Sequence, residues 1–283
     1  MELHVTSETG PLRDVLLAPV ELIEPTHHPI NSTQRHFYEP DPPDMQRVHD
    51  QHARFVDLLA AHDVTLHWAE HIAGAPSQYF TRDVAIVIGE RLIISKLKEP
   101  LRFGERDGLA SLVSSLDSEH AAAVDRGYLE GGDVLLDADT VWGGMGDRTD
   151  EAGMRWLCDY LGEAYTVIGV PLANDILHLD VVFNRVSRDL LLLYPPAIRA
   201  PELLDSLYQR FRVIEVTASE QFAMATNVVS IAPDTLVADA RFTRIHGELR
   251  AHGLNVLTIE YDEVAKMGGS LRCCTCPLVR AQA

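Results

Sequence analysis

Basic residues are scarce in this chain of 283 residues: 24 Lys and Arg stand against 42 Asp and Glu, a formal net charge of −18. So acidic a surface is a poor match for nucleic acid or an anionic membrane, both of which reward Lys and Arg. A small cationic substrate would be drawn towards it, although the same charge also serves solubility alone. Long apolar runs are missing too. The N-terminus, Met-Glu-Leu-His-Val-Thr-Ser, has no basic region leading into an apolar one, and no later segment approaches the ~18 uninterrupted apolar residues of a membrane span. The reading is a cytoplasmic protein, and self-association into a homo-oligomer is compatible with it. Only four cysteines occur. Cys273, Cys274 and Cys276 crowd into one tetrapeptide and Cys158 stands apart, which is poor material for a disulfide framework. Reactivity is then the question to ask of them.

What is present is a globular composition, 46% hydrophobic and 23% charged, with a repeat inside it. Four segments share one plan of apolar run, polar or glycine-containing turn, and second apolar run: 84–95, 134–144, 181–194 and 228–239. These predict β-hairpins. Their starts are 50, 47 and 47 residues apart, and a further 46 leads to Cys274. Each hairpin is followed by apolar residues at helical spacing, for example Met154, Cys158 and Leu161, or Leu203, Leu207 and Phe211, and then by another apolar run such as 165–170, 212–216 or 255–259. The N-terminal part offers the same pair in 45–61 and 64–69. The unit is hairpin, helix, strand. Units of this size cannot bury an apolar face alone, so five of them predict an α/β ring that closes if 14–17 pairs with 277–280. The proline-rich stretch 27–43 predicts the one long loop.

The chemically capable residues fall at equivalent places, just before or at the start of each hairpin: Asp83, Glu130 with Asp133, His178 with Asp180, Asn227, and Cys273. In a pseudo-symmetric ring they converge on one centre. Singly, each has a plainer reading. His178 fits a structural histidine, with Asp180 two residues along the same strand face, and Glu130-Gly131-Gly132-Asp133 fits a turn whose glycines supply positive φ. The C-x-x-C of Cys273–Cys276 would suit a redox pair or half a zinc site, but no second pair exists. Glycines before Cys273 allow close backbone approach, and a thiol beside His178 and a cationic ligand would have a lowered pKa, so a nucleophile is the preferred role. His49 and His52 are placed on the polar side of a surface helix.

These motifs resemble the guanidino-group-modifying enzymes of the pentein fold, which include arginine deiminases, dimethylarginine dimethylaminohydrolases and amidinotransferases. The resemblance runs from Ser7-Glu8 and Val15-Leu16-Leu17 to the C-terminal cysteines. Phe80-Thr81-Arg82-Asp83 is similar to the motif whose Asp holds the guanidinium, and Glu130-Gly131-Gly132-Asp133 to the motif of the catalytic Glu. His178-Leu179-Asp180 resembles the paired general acid/base and guanidinium-binding Asp. Gly146-Asp147-Arg148-Thr149 resembles a substrate-carboxylate segment, and Gly268-Gly269-Ser270-Leu271-Arg272-Cys273 the nucleophile loop. Two positions depart from the deiminases: Ser77 stands where Asn is usual, and Lys266-Met267 where an Arg is often found.

The resemblance implies a five-fold pseudosymmetric α/β propeller forming a single catalytic domain over 1–283. Its implied catalytic residues are Cys273, His178 and Glu130, its substrate-binding residues Asp83, Asp180, Arg148 and Phe80, and it needs no metal or organic cofactor. Its partner is a cationic guanidino small molecule. The implied reaction is hydrolysis of the guanidino group of arginine or an Nω-substituted arginine to citrulline plus ammonia or an amine. Amidino transfer to an amine acceptor is the alternative, followed by a non-catalytic binding module. The deiminase-like Phe-Thr-Arg-Asp favours hydrolysis.

Overall fold

A computed structural model describes residues 1–19, 23 and 29–281. The predicted hairpins are present as β3 (Ala85–Ile88) with β4 (Arg91–Ile94), β6 (Val134–Asp137) with β7 (Thr140–Met145), β9 (Phe183–Arg185) with β10 (Leu190–Leu193), and β12 (Val229–Ala232) with β13 (Thr235–Asp239). Each pair is antiparallel. A third strand adds in parallel to each: β5 (Ala121–Ala123), β8 (Thr166–Pro171), β11 (Arg212–Glu215) and β14 (Asn255–Ile259).

The fifth sheet is divided between the chain's ends. The strand β15 (Cys276–Arg280) pairs antiparallel with β1 (Leu12–Leu17), with Val15 opposite Pro277, and β2 (Thr65–Trp68) joins β1 in parallel. The hairpin expected from Cys274 onward is therefore β15 and β1, its turn replaced by the gap between the termini. Among the described residues five three-stranded sheets result, and the ring closure read from spacing is observed. The fold is a pentein-type α/β propeller.

Helices lie where the apolar spacing placed them, over Glu151–Leu161, Pro201–Arg210 and Thr243–Ala251, each linking the second strand of a sheet to the third, parallel strand of the same sheet. The first unit differs: ten residues of 3-10 helix, Pro100–Leu109, lead into a short helix, Ala110–Ser114. Central strands such as β10 are buried along their whole length, which explains why their sequence is continuously apolar rather than alternating.

Two expectations are corrected. The stretch 27–43 is not all loop, because Asn31 caps a helix over Ser32–Phe37 through its side chain to the Gln34 N–H; residues 27 and 28 lie outside the described residues. His52 is not on a polar surface. It is fully buried and meets the Tyr261 hydroxyl at 2.7 Å through Nδ1, because Val48, His52, Phe55 and Leu59 form one helical stripe facing the core. His49 is only partly buried, with Nε2 2.9 Å from the Ile23 carbonyl.

Candidate active site

At the start of three successive hairpins the chain makes one tight helical turn before entering the strand: Thr81–Val84, Gly131–Asp133 and Leu179–Val181. These turns aim side chains at the ring's centre. They also correct the reading of His178 and Asp180 as neighbours on a strand, since Asp180 sits inside a turn of 3-10 helix that begins just after His178. Gly131 and Gly132 are not positive-φ residues. Their requirement is space: a Cβ on Gly131 would stand 1.9 Å from the Arg82 carbonyl oxygen, and one on Gly132 2.7 Å from the His178 ring. The glycine pair thus permits the close approach that brings Glu130 to His178.

His178 Nε2 lies 2.8 Å from Glu130 Oε2, and its Nδ1 lies 3.7 Å from Asp83 Oδ1. The Cys273 thiol points at Asp180 Oδ2, 3.8 Å away, and its backbone N–H donates to Asn227 Oδ1 at 3.1 Å. All of these residues are buried. Asp83, His178, Cys273, Phe80 and Arg148 share the wall of one narrow cleft. The equivalent positions of the repeat therefore do converge.

Sequence reasoning overlooked the buried arginines that hold the carboxylates. Arg102 grips Glu105 with Nε and Nη2 and donates from Nη1 to Asp83 Oδ2 at 2.9 Å. Arg272 does the same for Asp180, Nη1 to Oδ2 at 2.8 Å. Each carboxylate is thereby fixed by one oxygen, and the other, Asp83 Oδ1 or Asp180 Oδ1, has no hydrogen-bond donor among the described residues. The one available signal was the three-residue spacing of Arg102 and Glu105, but exposed Leu101 and Phe103 beside them disguise the segment as surface. The cleft is covered by Ile30, Asn31 and Gln34. Gln34 donates to the Met267 carbonyl at 2.8 Å, and Arg148 Nη2 to the Ile30 carbonyl at 3.1 Å. Arg148 Nη1 keeps no hydrogen-bond partner among the described residues and lies 3.9 Å from Glu130 Oε1.

Burial opposes a charged imidazole, but Asp83, the Glu130 hydrogen bond and Asp133 outweigh it and raise His178 to about 9. Glu130 also carries a burial penalty, and His178, Arg102 and Arg148 nonetheless hold it down to about 2. The lowered Cys273 pKa expected from the sequence presupposes a cationic ligand beside the sulfur as well as His178. Burial, Asp180 and Asp83 all push the thiol well above its usual range. The physical reason is that the nearest ionised groups are carboxylates, and a cation between them and the sulfur has to come from outside.

The raised imidazole stabilises the fold in full below its ordinary value near 6.5, and that contribution is lost as pH rises through about 9. The depressed Glu130 contributes above its ordinary 4.5 and loses the contribution as pH falls towards 2. Melting curves should therefore fall between about pH 6.5 and 9 in the unmodified protein, and His178→Gln should flatten that alkaline limb. An unchanged limb would show that His178 is neutral in the folded state.

Asp83, Glu130 and His178 place ligand atoms within 4.8 Å of one another and could hold a metal ion. The same atoms suit a planar cation equally. All four cysteines are free, Cys158 exposed and the other three buried. Among the described residues no helix is long and apolar enough to cross a membrane.

The model of one family, eukaryotic N,N dimethylarginine dimethylhydrolase, matches residues 19–280. Bacillus subtilis YkgA, a protein described as uncharacterized, is 37% identical over 276 residues, covering 98% of this chain and 95% of its own length. Arginine deiminase of Mycobacterium bovis is 32% identical over 248 residues, 72% of this chain and 61% of that enzyme, so the chain spans less than two thirds of this relative. The N-terminal domain of ArgZ, an arginine dihydrolase of the ornithine-ammonia cycle in cyanobacteria, superimposes with a TM-score of 0.84 at 21% identity, covering 94% of this chain and 97% of that domain. At that identity the likeness is one of fold.

Proposed function

Because the chain belongs to the dimethylarginine dimethylhydrolase family of guanidino-modifying pentein enzymes, we propose that it hydrolyses the guanidino group of arginine or an Nω-substituted arginine. Citrulline and ammonia or an amine are the products, and residues 1–283 act as a single catalytic domain. The observation that carries this reading is the pair of buried carboxylate oxygens without a donor, Asp83 Oδ1 and Asp180 Oδ1, beside the Cys273 thiol. An unpaired buried acceptor is costly. A guanidinium, planar and carrying N–H donors around its rim, would satisfy both at once.

Its positive charge would also relieve what keeps Cys273 protonated. With the cation between sulfur and carboxylates, the thiol releases its proton to solvent and the thiolate attacks the guanidinium carbon, forming a C–S bond. Protonated His178 gives its proton to the leaving nitrogen, the C–N bond breaks, and ammonia or an amine departs. The neutral imidazole then takes one proton from water, whose oxygen attacks the same carbon; the C–S bond breaks, and the proton left on the added hydroxyl passes to the departing sulfur, restoring the thiol and leaving the ureido product. Glu130 holds the imidazole in place throughout. Phe80, whose ring crowds Gly269 of the cysteine loop, forms the wall against which the planar group lies.

Arg148 is assigned to the substrate carboxylate through its unpaired Nη1. A charge-assisted contact of this kind is worth about 1.5–3 kcal/mol, so Arg148→Ala should lower kcat/KM on arginine-type substrates roughly tenfold or more and leave agmatine, which lacks a carboxylate, nearly unaffected. Equal losses on both, or agmatine as the better substrate, would move the reading to a decarboxylated guanidine. Mass spectrometry of the products from arginine, methylated arginines and agmatine, with and without an amine acceptor, tests the function itself. Ureido product independent of acceptor supports hydrolysis, a new guanidino compound made from the acceptor supports amidino transfer, and unchanged substrates throughout would reject both.

A further inference from the structure

Among the described residues, Asp83 and Asp180 each accept from an arginine through one oxygen only, although a guanidinium fork is suited to chelating both oxygens of a carboxylate with two parallel N–H donors. What prevents the chelate is a second carboxylate behind each arginine. Arg102 turns its Nε and Nη2 edge to Glu105, at 2.9 and 2.8 Å, and reaches Asp83 Oδ2 with Nη1 alone. Arg272 divides its terminal nitrogens, Nη1 going to Asp180 Oδ2 and Nη2 to Glu8 Oε1 at 3.1 Å. The charges therefore alternate in sign from Glu105 through Arg102 to Asp83, and again from Asp180 through Arg272 to Glu8. The substrate's cation belongs in the gap between the two runs.

Local structure fixes both outer carboxylates. In a 3-10 helix side chains three residues apart eclipse, and runs beyond three or four residues are uncommon. Over the ten residues Pro100–Leu109 this geometry sets Glu105 against Arg102. Glu8 precedes β1 and is tied to β6, where it accepts from the Leu136 N–H at 3.2 Å while Arg272 Nη2 also donates to the Val134 carbonyl at 3.1 Å. Both glutamates are buried, and neither lines the active-site cleft. Burial pushes Glu105 up to about 7 against the pull of Arg102. Glu8, despite burial, is held at about 2 by Arg272, Arg82 and Arg280.

We infer that Glu105 and Glu8 are positioning residues of the guanidinium clamp: each holds its arginine off the second oxygen of the neighbouring aspartate and so keeps Asp83 Oδ1 and Asp180 Oδ1 open for substrate. The inference rests on the guanidine-binding role proposed above and deepens it. Without the Glu105 charge, Arg102 turns its freed fork to Asp83, occupies both oxygens and takes the place of the cation that the substrate should bring. Neither glutamate touches the reacting atoms, so the effect falls on binding rather than on the chemical step.

Glu105→Gln keeps the size of the side chain and one acceptor while removing the charge. In the active protein it should raise KM roughly tenfold and move kcat much less. In crystals of this variant Arg102 should span both oxygens of Asp83. Calorimetry in the Cys273→Ser background reads binding apart from turnover, with arginine, Nω-methylarginine and agmatine as titrants at about pH 8, above the Glu105 value. There Glu105→Gln should weaken the tightest of the three roughly tenfold. Should this variant fail to fold, Glu8→Gln tests the same device at Asp180, where Arg272 should close onto both oxygens. Equal affinity with and without the Glu105 charge, a loss confined to kcat, or an Arg102 that keeps its single contact to Asp83 would overturn the inference and leave the guanidine-binding role standing. Failure of all three guanidines to bind the Cys273→Ser protein would instead overturn that role, and the inference with it.

Discussion

Cys273→Ser should remove turnover altogether and with it covalent labelling by an amidine electrophile, while Cys274→Ser and Cys276→Ser keep both. The three thiols are close in sequence and all buried, yet their surroundings separate them. Cys273 lines the active-site cleft and points at Asp180. Cys276 donates to the Ala85 carbonyl at 3.3 Å, inside the core. Cys274 bonds with the Tyr261 hydroxyl, and burial pushes it up to about 12. A serine hydroxyl is far less acidic than a thiol and would not ionise between these carboxylates even with a guanidinium present. Label retained by the Cys273→Ser protein, or lost from Cys274→Ser while circular dichroism shows it folded, would assign the nucleophile elsewhere.

The second large effect is expected at His178. Its replacement by alanine takes away the imidazole that is hydrogen-bonded to Glu130 and can both give and take a proton. A positioned acid/base contributes typically 10²–10⁴-fold, and a kcat loss of that order is expected from His178→Ala with folding retained. The substrate KM should move much less, because the guanidinium is held by Asp83 and Asp180. The complementary change Asp180→Asn should weaken binding more than it slows turnover. An intact rate in His178→Ala would return this residue to a structural role, as a hydrogen-bond partner for Glu130 and nothing more.

The repeat was legible because its signal is geometric. A hairpin buried on both faces reads as two apolar runs about a turn, and a fixed interval between such runs carries equivalent residues to equivalent places. That is why Asp83, Glu130, His178, Asp180, Asn227 and Cys273 could be placed at one centre before any coordinate was known. The pairing of β1 with β15 followed from the same logic, since a ring without it would leave an exposed edge.

What was not legible is chiefly polar and buried. Arginine is rarely found fully buried unless paired, so the sequence did not single out Arg102 and Arg272 as the groups that immobilise Asp83 and Asp180. His52 was misplaced for the same reason, although Val48, Phe55 and Leu59 mark its helical stripe. The single helical turns before the hairpins are too short to leave a periodic pattern, and His178 with Asp180 was therefore set on a strand. The thiol's raised pKa lay beyond sequence altogether, because it depends on which charges face the sulfur in the folded chain.

The account rests on a covalent bond between Cys273 and the guanidino carbon. Acid-quenched enzyme, taken within the first turnovers on arginine or a methylated arginine and digested for peptide mass spectrometry, reports on it directly. The predicted result is a peptide containing Cys273 that is heavier by the substrate less the departing ammonia or amine, absent from the Cys273→Ser protein, and decaying as citrulline appears. Citrulline formed with no adduct on Cys273 at any quench time, while Cys273→Ser still turns over, would contradict it.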